Sequence, residues 1–219
     1  MRSSSIAACL LPAAALAVPN VTVTPLASDC SAYPNYNNAT GEAGPFLVVA
    51  DSTGGSFDGD GVSVETFTNN GKDRFGFITI PKVPTESMPN VSMICSFSTL
   101  HATLSNTTYN LEIAAEENWQ ASFSFNTSPG VPGTPIEPYA HFVNGVQQDG
   151  VFLGAKNTTT WTYKFNWGGN AGEYYLLRLL GVMPKGTVHV KRQDGGGRPP
   201  VTFPPDGTDW TGFLKVKAL

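Results

Sequence analysis

The residues best suited to binding a ligand are four aromatic side chains that recur at every second position of one segment. They alternate with Thr, Lys and Asn, and they are Trp161, Tyr163, Phe165 and Trp167. A β-strand with this alternation places all four rings on one face, which forms either hydrophobic core or the wall of an apolar pocket. We expect core packing for two of the four. A second aromatic set could face the first and complete a cavity for a flat apolar ligand; it comprises Trp119, Phe123 and Phe125.

Polar residues within apolar segments are the candidate hydrogen-bond donors. Arg178 lies in the apolar run 174–180, where a buried guanidinium must be paired or directed at a ligand. The structural alternative is a salt bridge to Glu173 or Asp149. His141, in a predicted strand, is either a hydrogen-bonded core histidine or a proton donor in a pocket. The predicted catalytic donors are Tyr163, Arg178 and His141, and the predicted substrate-contacting walls are Trp119, Phe123, Trp161, Phe165 and Trp167.

Other kinds of catalysis find little support in the residue pattern. The sequence has no GxSxG motif, and its three histidines are His101, His141 and His189, so a nucleophilic triad is improbable. It has no CxxC motif or cysteine–histidine cluster, and we predict neither a metal site nor a cofactor. Glycosidase chemistry needs two carboxylates that meet in space. The candidates are Glu112, Glu116, Glu117, Glu137 and Glu173, of which Glu116-Glu117 fits a solvated turn more simply.

Composition indicates the class of protein. The chain of 219 residues has 13 basic and 17 acidic side chains, a net charge of −4, and shows no basic stripe. Nucleic acid is therefore an improbable partner. Charged residues are sparse at 14%, while 23 glycines and 17 prolines are present. This balance is typical of a turn-rich β protein.

The elements that would position these side chains are short apolar or alternating runs between Gly, Pro and Asn turns. Ten such runs predict an all-β fold, an antiparallel sandwich or barrel in a single domain over 30–219. Residues 18–29 fit an extended lead-in, and 193–209 fit a Gly/Pro-rich linker after the dibasic pair Lys191-Arg192. The runs are 46–50, 75–80, 93–97, 109–115, 121–125, 151–153, 161–167, 174–180, 187–191 and 212–216.

The first 17 residues match a secretory signal peptide. Arg2 supplies the positively charged start, Ile6 to Leu16 form the apolar stretch, and Ala15-Leu16-Ala17 is a small-residue cleavage site. A membrane helix needs about 20 apolar residues, and no such stretch follows. We therefore predict a secreted or vesicular protein without a membrane span.

Two further features fit this compartment. Cys30 and Cys95 remain after signal removal and predict one disulfide, two buried thiols being the alternative. Six N-glycosylation sequons occur, of which we expect three or more to be used. Their acceptors are Asn20, Asn38, Asn90, Asn106, Asn126 and Asn157.

Several segments resemble a family of fungal secreted β proteins. They are YAHFVNGVQQDGVFLGAKNTTTW with EYYLLRLLG, the earlier CSAYPNYNNATGEAGPF, and FGFITIP. The similarity covers roughly residues 30–190. Some members are labelled IgE-binding proteins, and the characterised ones are hetero-Diels–Alderases of tropolonic sesquiterpene biosynthesis.

The resemblance implies a cofactor-independent pericyclase. Its substrates would be a tropolone-derived ortho-quinone methide and an alkene of a humulene-type terpene. A concerted cycloaddition needs no nucleophile, so the missing triad is no objection to it. The assignment of individual residues rests on alternation and chemistry, because family roles are not transferred position by position.

A second hypothesis belongs to a different class of protein. The same aromatic residues on an open sheet face would stack on sugar rings, as in a non-catalytic secreted binding protein of the cell wall or the host surface. Signal, sequons and disulfide suit both hypotheses. Whether the aromatic residues enclose a cavity or lie exposed distinguishes them.

Overall fold

The chain is described here by a computed structural model. It describes residues 18–69, 71, 73–82, 90–104, 106–115, 121–127, 130–167, 172–181 and 210–219. Several sequence predictions lie outside the described residues: the signal 1–17, Trp119 and the Glu116-Glu117 pair, the run 187–191, the pair Lys191-Arg192 and the linker 193–209.

The regular secondary structure of the described residues is almost entirely β-strand, which confirms the predicted all-β fold class. A short 3-10 turn over Cys30–Ala32 is the one helical element among them. The strands are β1 (Thr22–Pro25), β2 (Ala43–Asp51), β3 (Ser63–Asn69), β4 (Asp73–Pro81), β5 (Met93–Ser96), β6 (Thr99–Leu104), β7 (Thr107–Asn110), β8 (Glu112–Ile113), β9 (Phe123–Phe125), β10 (Thr134–Pro135), β11 (Glu137–Val143), β12 (Val146–Gln147), β13 (Val151–Gly154), β14 (Trp161–Trp167), β15 (Glu173–Leu179) and β16 (Trp210–Ala218).

All strand pairs among the described residues are antiparallel and belong to one hydrogen-bonded sheet. Its main order is β10-β8-β9-β4-β15-β14-β16-β2-β5-β6-β7, with β3 beside β4 and with β1, β11, β12 and β13 attached through β16. Strand β16 joins two halves, because residues 210–212 pair with β14 whereas residues 213–218 pair with β2. We call these the β14 half and the β2 half.

The two halves pack their apolar faces on a shared core. Phe46 and Val48 of β2 and Leu214 of β16 belong to the same buried cluster as Phe123 of β9 and Leu177 of β15. The β14 half also carries a small apolar cluster on its other face. That cluster consists of Phe77, Tyr174 and Leu176, with Phe67 against it.

The predicted run 109–115 is not one strand. It divides into β7, which pairs with β6, and β8, which pairs with β9. Leu111 lies between them, buried, and its N–H donates to the Leu100 carbonyl at 2.8 Å. The chain crosses from one half to the other at this residue, so the alternation of the sequence spans two strands.

A loop after β2 places one more aromatic ring on β14 and β15. The Asp58 carboxylate accepts hydrogen bonds from the N–H and hydroxyl of Thr53 and from the N–H of Gly54. The closed loop holds Phe57 with its ring centroid 5.4 Å from that of Tyr163 and 4.5 Å from that of Tyr175. The Asp-Gly repeat at 58–61 thus closes a turn.

The predicted disulfide is confirmed, since Cys30 and Cys95 are bonded. The lead-in is extended over β1, which pairs with β11 and places Val23 opposite His141. Among the described residues, no helix has the length and apolar character needed to cross a membrane.

Candidate functional site

The aromatic row on β14 passes from the core to the surface. Trp161 and Tyr163 are fully buried, Phe165 is half-buried and Trp167 is 52% exposed. Two of the four rings are therefore core, as the alternation led us to expect. The other two lie where a ligand can reach them.

The buried members of the row use their polar atoms inside the protein. The indole N–H of Trp161 donates to the Leu153 carbonyl at 2.8 Å. The hydroxyl of Tyr163 donates to the Phe213 carbonyl. Since Phe213 is the first residue of β16 that pairs with β2, this hydroxyl lies at the junction of the two halves. Burial raises the pKa of Tyr163 well above its ordinary value.

The exposed end of the row belongs to a larger aromatic surface, which we call the aromatic mouth. Tyr175 lies directly opposite Phe165, and the two ring centroids are 6.1 Å apart. Phe57 stacks on Tyr175 and meets the edge of Trp210, which is 42% exposed. The mouth consists of Phe57, Phe165, Trp167, Tyr175 and Trp210, with Lys82 and Glu173 at its rim.

The rim pair is held by the backbone as well as by its charges. The Lys82 ammonium lies 2.7 Å from the Glu173 carboxylate, and the Lys82 N–H donates to the Glu173 carbonyl at 3.0 Å. The same ammonium lies over Phe165, 5.4 Å from the ring centroid. The hydrogen bond to Glu173 raises the pKa of Lys82, so the lysine is a cation at neutral pH.

Arg178 lies on the other face of the β14 half. It is opposite Thr162 on β14 and bridges to Ser122, while its neighbours Leu177 and Leu179 point into the core. It therefore shares a face with Tyr174 and Leu176, as the sequence predicted, but not with the aromatic row. The Glu173 carboxylate, one of its two proposed partners, bonds to Lys82.

His141 lies in the β2 half and is buried. Its Nε2 is 2.8 Å from the Thr159 hydroxyl, and its ring stacks on Phe152 with centroids 3.7 Å apart. The edge of Phe213 closes the other side at 4.5 Å. Burial lowers the pKa of His141 to about 4, so the imidazole is neutral at physiological pH.

The predicted constellation does not assemble as one site. Tyr163 bridges strands within the core, Arg178 lies on the opposite face of the sheet, and His141 lies in the other half. Among the predicted walls, Phe123 packs on Trp161 in the core with ring centroids 5.5 Å apart. Separate strands and faces set these positions, and alternation within one strand does not reveal them.

The described carboxylates considered for glycosidase chemistry have separate structural contacts. Glu112 accepts from the Gly133 N–H, Glu137 from the Lys156 N–H, and Glu173 from Lys82. Within the part of the chain that the structure describes, no three metal-ligating side chains come together.

Comparison with known proteins gives no family assignment. No protein-family model matches this chain, and no curated protein matches it.

Sequence reasoning missed four members of the mouth and its rim: Phe57, Lys82, Tyr175 and Trp210. Tyr175 carried a signal, because it alternates with Leu177 on β15 and so faces the same side as the aromatic row. Trp210 precedes the predicted run 212–216 and extends it by two residues. Phe57 and Lys82 carried none, because only the loop closure and the pairing of β4 with β15 bring them to the row.

Proposed function

We propose that this protein is a secreted, cofactor-independent cyclase that catalyses a hetero-Diels–Alder addition at the aromatic mouth. It joins a tropolone-derived ortho-quinone methide to an alkene of a humulene-type terpene. The observation that carries the proposal is the aromatic row, whose inner rings are fixed in the core while its outer rings, Phe165 and Trp167, are open to a ligand.

The chemistry of a concerted cycloaddition fits such a surface. The reaction requires that two apolar partners be held at contact distance, and well-oriented reactants gain several kcal/mol from this positioning alone. Flat conjugated rings stack favourably on aromatic side chains, each pair contributing about 1 kcal/mol beyond the burial of its area. Because Tyr163 and Phe57 fix the base of the mouth, its geometry is set before substrate arrives.

Two further observations support a secretory location for this activity. The six sequon asparagines are all exposed, and Asn106, Asn126 and Asn157 occupy turns with positive φ. Glycans at such positions meet solvent and displace no core side chain. The Cys30–Cys95 disulfide is stable in an oxidising compartment.

The experiment is incubation of the purified protein with humulene and a tropolone quinone-methide precursor. Adduct and stereochemistry are followed by chiral chromatography against a reaction without protein. A faster reaction that gives one stereoisomer supports the proposal. A racemic product at the background rate contradicts it for this pair of substrates.

The second candidate is a non-catalytic binding protein that stacks sugar rings on Trp167 and Trp210. Aromatic residues that lie exposed are the observation expected of such a protein, and Trp167 and Trp210 are 52% and 42% exposed. Titration with soluble cell-wall oligosaccharides, followed by tryptophan fluorescence, tests it. Saturable quenching by an oligosaccharide, together with an unchanged cycloaddition rate, would establish this function in place of the cyclase.

A further inference from the structure

The rim of the aromatic mouth holds a cation beside an aromatic ring, where it could donate a hydrogen bond to a bound ligand. The Lys82 ammonium is 2.7 Å from Glu173 and 5.4 Å from the centre of Phe165. Lys82 directly follows β4, which is held against β15 by three consecutive residue pairs, the last of them Pro81 opposite Tyr174. A lysine in this position can reach the edge of a ring stacked in the mouth.

We propose that Lys82 is a catalytic residue that donates a hydrogen bond to the ring oxygen of a planar, oxygen-bearing ligand in the aromatic mouth. This inference rests on the proposed function and specifies the donor that it lacks, since Tyr163, Arg178 and His141 lie elsewhere. The class of ligand is a flat conjugated ring that carries an anionic or strongly polarised oxygen.

Lys82 and Glu173 are each 46% exposed, so their ion pair is a surface pair, but the lysine has two further contacts. Surface pairs contribute little to stability, about 0–1 kcal/mol, because solvent screens them and both side chains are mobile. Here the backbone bond between Lys82 and Glu173 fixes the start of both side chains, and the aromatic ring attracts the cation. Glu173 and the nearby Tyr175 both favour the charged form of the lysine.

The position of Glu173 also defines where the ligand oxygen would lie. Glu173 is directly opposite Trp167 across β14 and β15, and the ammonium bound to it lies over Phe165, two residues along the row. In the proposed complex, a ring stacked at this end of the row presents its edge oxygen toward Lys82. The lysine can then donate one N–H to the ligand while a second N–H still donates to the Glu173 carboxylate, because an ammonium has three donors.

The step balances without a further reactant. The exocyclic carbon of the quinone methide bonds to one alkene carbon, and the oxygen of the quinone methide bonds to the other alkene carbon. Two σ bonds form, three π bonds become one, and no atom or proton leaves. Lys82 stabilises the negative charge that grows on the oxygen as the new bonds form, and it keeps its own proton throughout.

Ligand binding separates this inference from the proposed function. The probes are tropolone, titrated as its anion, and tropolone methyl ether, which lacks the charge; both are followed by quenching of tryptophan fluorescence. We expect Lys82→Gln to weaken binding of the anion at least tenfold and binding of the ether less than twofold. Lys82→Arg should restore most of the lost affinity for the anion. The adduct assay should show the same order of rates.

A matched control is available in the same chain. Lys215 also lies over an aromatic ring, Phe152, at 5.8 Å, but in the β2 half. Lys215→Gln should bind both probes as the unmodified protein does. If Lys82→Gln binds the anion as tightly as the unmodified protein, Lys82 is not the hydrogen-bond donor, although the mouth does bind the ligand. If the unmodified protein binds neither probe and forms no adduct, the proposed function fails as well.

Discussion

The phenol of Tyr163 shows how one hydroxyl can hold two parts of a sheet together. It lies at the point where β16 leaves β14 and begins to pair with β2, and it donates to a backbone carbonyl of β16 there. Alternation identified its face correctly, but only the pairing of β16 shows that the hydroxyl has a backbone partner at this junction.

Removal of this hydroxyl should therefore affect stability. Tyr163→Phe leaves the Phe213 carbonyl short of a partner, and a buried unpaired group costs about 1–3 kcal/mol. We expect a loss of free energy of unfolding in that range, measured by urea denaturation. Tyr175 is a half-buried residue of the neighbouring strand, and Tyr175→Phe should lose less than half as much free energy of unfolding. Equal losses in the two variants would contradict the bridging role.

His141 should make stability depend on pH. Its folded-state pKa is lowered to about 4 by burial, whereas the unfolded chain has an ordinary histidine value near 6.5. Above that value neither state is charged, so the contribution is constant. As the pH falls from about 6.5 to about 4, the unfolded state takes up a proton that the folded state does not, and about 3 kcal/mol of stability is lost.

The measurement is the free energy of unfolding between pH 7.5 and pH 4, compared with His141→Gln. The variant should be less stable at pH 7.5 and should lose less stability on acidification. The difference between the two curves separates the contribution of His141 from that of the carboxylates. His101→Gln, at a half-buried site, controls for the removal of a histidine. Parallel curves for unmodified protein and His141→Gln would show that the burial of His141 has no effect on its titration.

At the scale of the element, β14 combines two tasks along its length. Trp161 contributes to stability, since a buried tryptophan truncated to alanine costs about 3–5 kcal/mol. Trp167 is 52% exposed, and the same truncation should cost under about 1 kcal/mol, as for other surface substitutions. Binding of tropolone should show the opposite order.

The check is an alanine series along the strand, with unfolding and fluorescence titration measured on each variant. Trp161→Ala should unfold most easily, Phe165→Ala should be intermediate, and Trp167→Ala should be near the unmodified protein. Trp167→Ala should lose at least fivefold in affinity for the probe. A Trp167→Ala variant with full affinity would show that the exposed end of β14 is not the binding surface.

The strands with strong alternation or long apolar runs could be predicted from sequence, and the others could not. The runs at 161–167 and 174–180 correspond to β14 and β15, because the first alternates over a full strand and the second is a long apolar run. The strands β3 and β6 were missed, since Ser, Thr, Glu and Asn occupy much of β3, Thr and His interrupt β6, and their place in the sheet comes from pairing with β4 and β5.

The site was predictable only in part for the same reason. The row of Phe165 and Trp167 follows from alternation within one strand. Lys82 reaches the row from β4, and Trp210 reaches it from β16, so their positions depend on the order of strands in the sheet. That order comes from long-range pairing, which has no local pattern in the sequence.

At the scale of the whole molecule, the disulfide links the 3-10 turn at Cys30 to β5 and closes a loop of 65 residues. On the chain-entropy model such a crosslink contributes about 4 kcal/mol. The variant Cys30→Ser/Cys95→Ser should therefore lose stability by up to that amount, measured by urea denaturation without reductant. It should keep its affinity for tropolone once folded, because the mouth lies on other strands. A loss below about 1 kcal/mol would contradict the estimate.

The central claim is that cycloaddition takes place at the aromatic mouth. The most direct measurement is the rate and stereoselectivity of adduct formation by Phe165→Ala, with Phe97→Ala as the control because Phe97 is 93% exposed on the turn between β5 and β6. We expect at least a tenfold lower rate and a loss of stereoselectivity for Phe165→Ala, and no change for Phe97→Ala. If Phe165→Ala retains the full rate while Arg178→Ala abolishes it, the reaction takes place on the opposite face of the sheet and the claim is wrong.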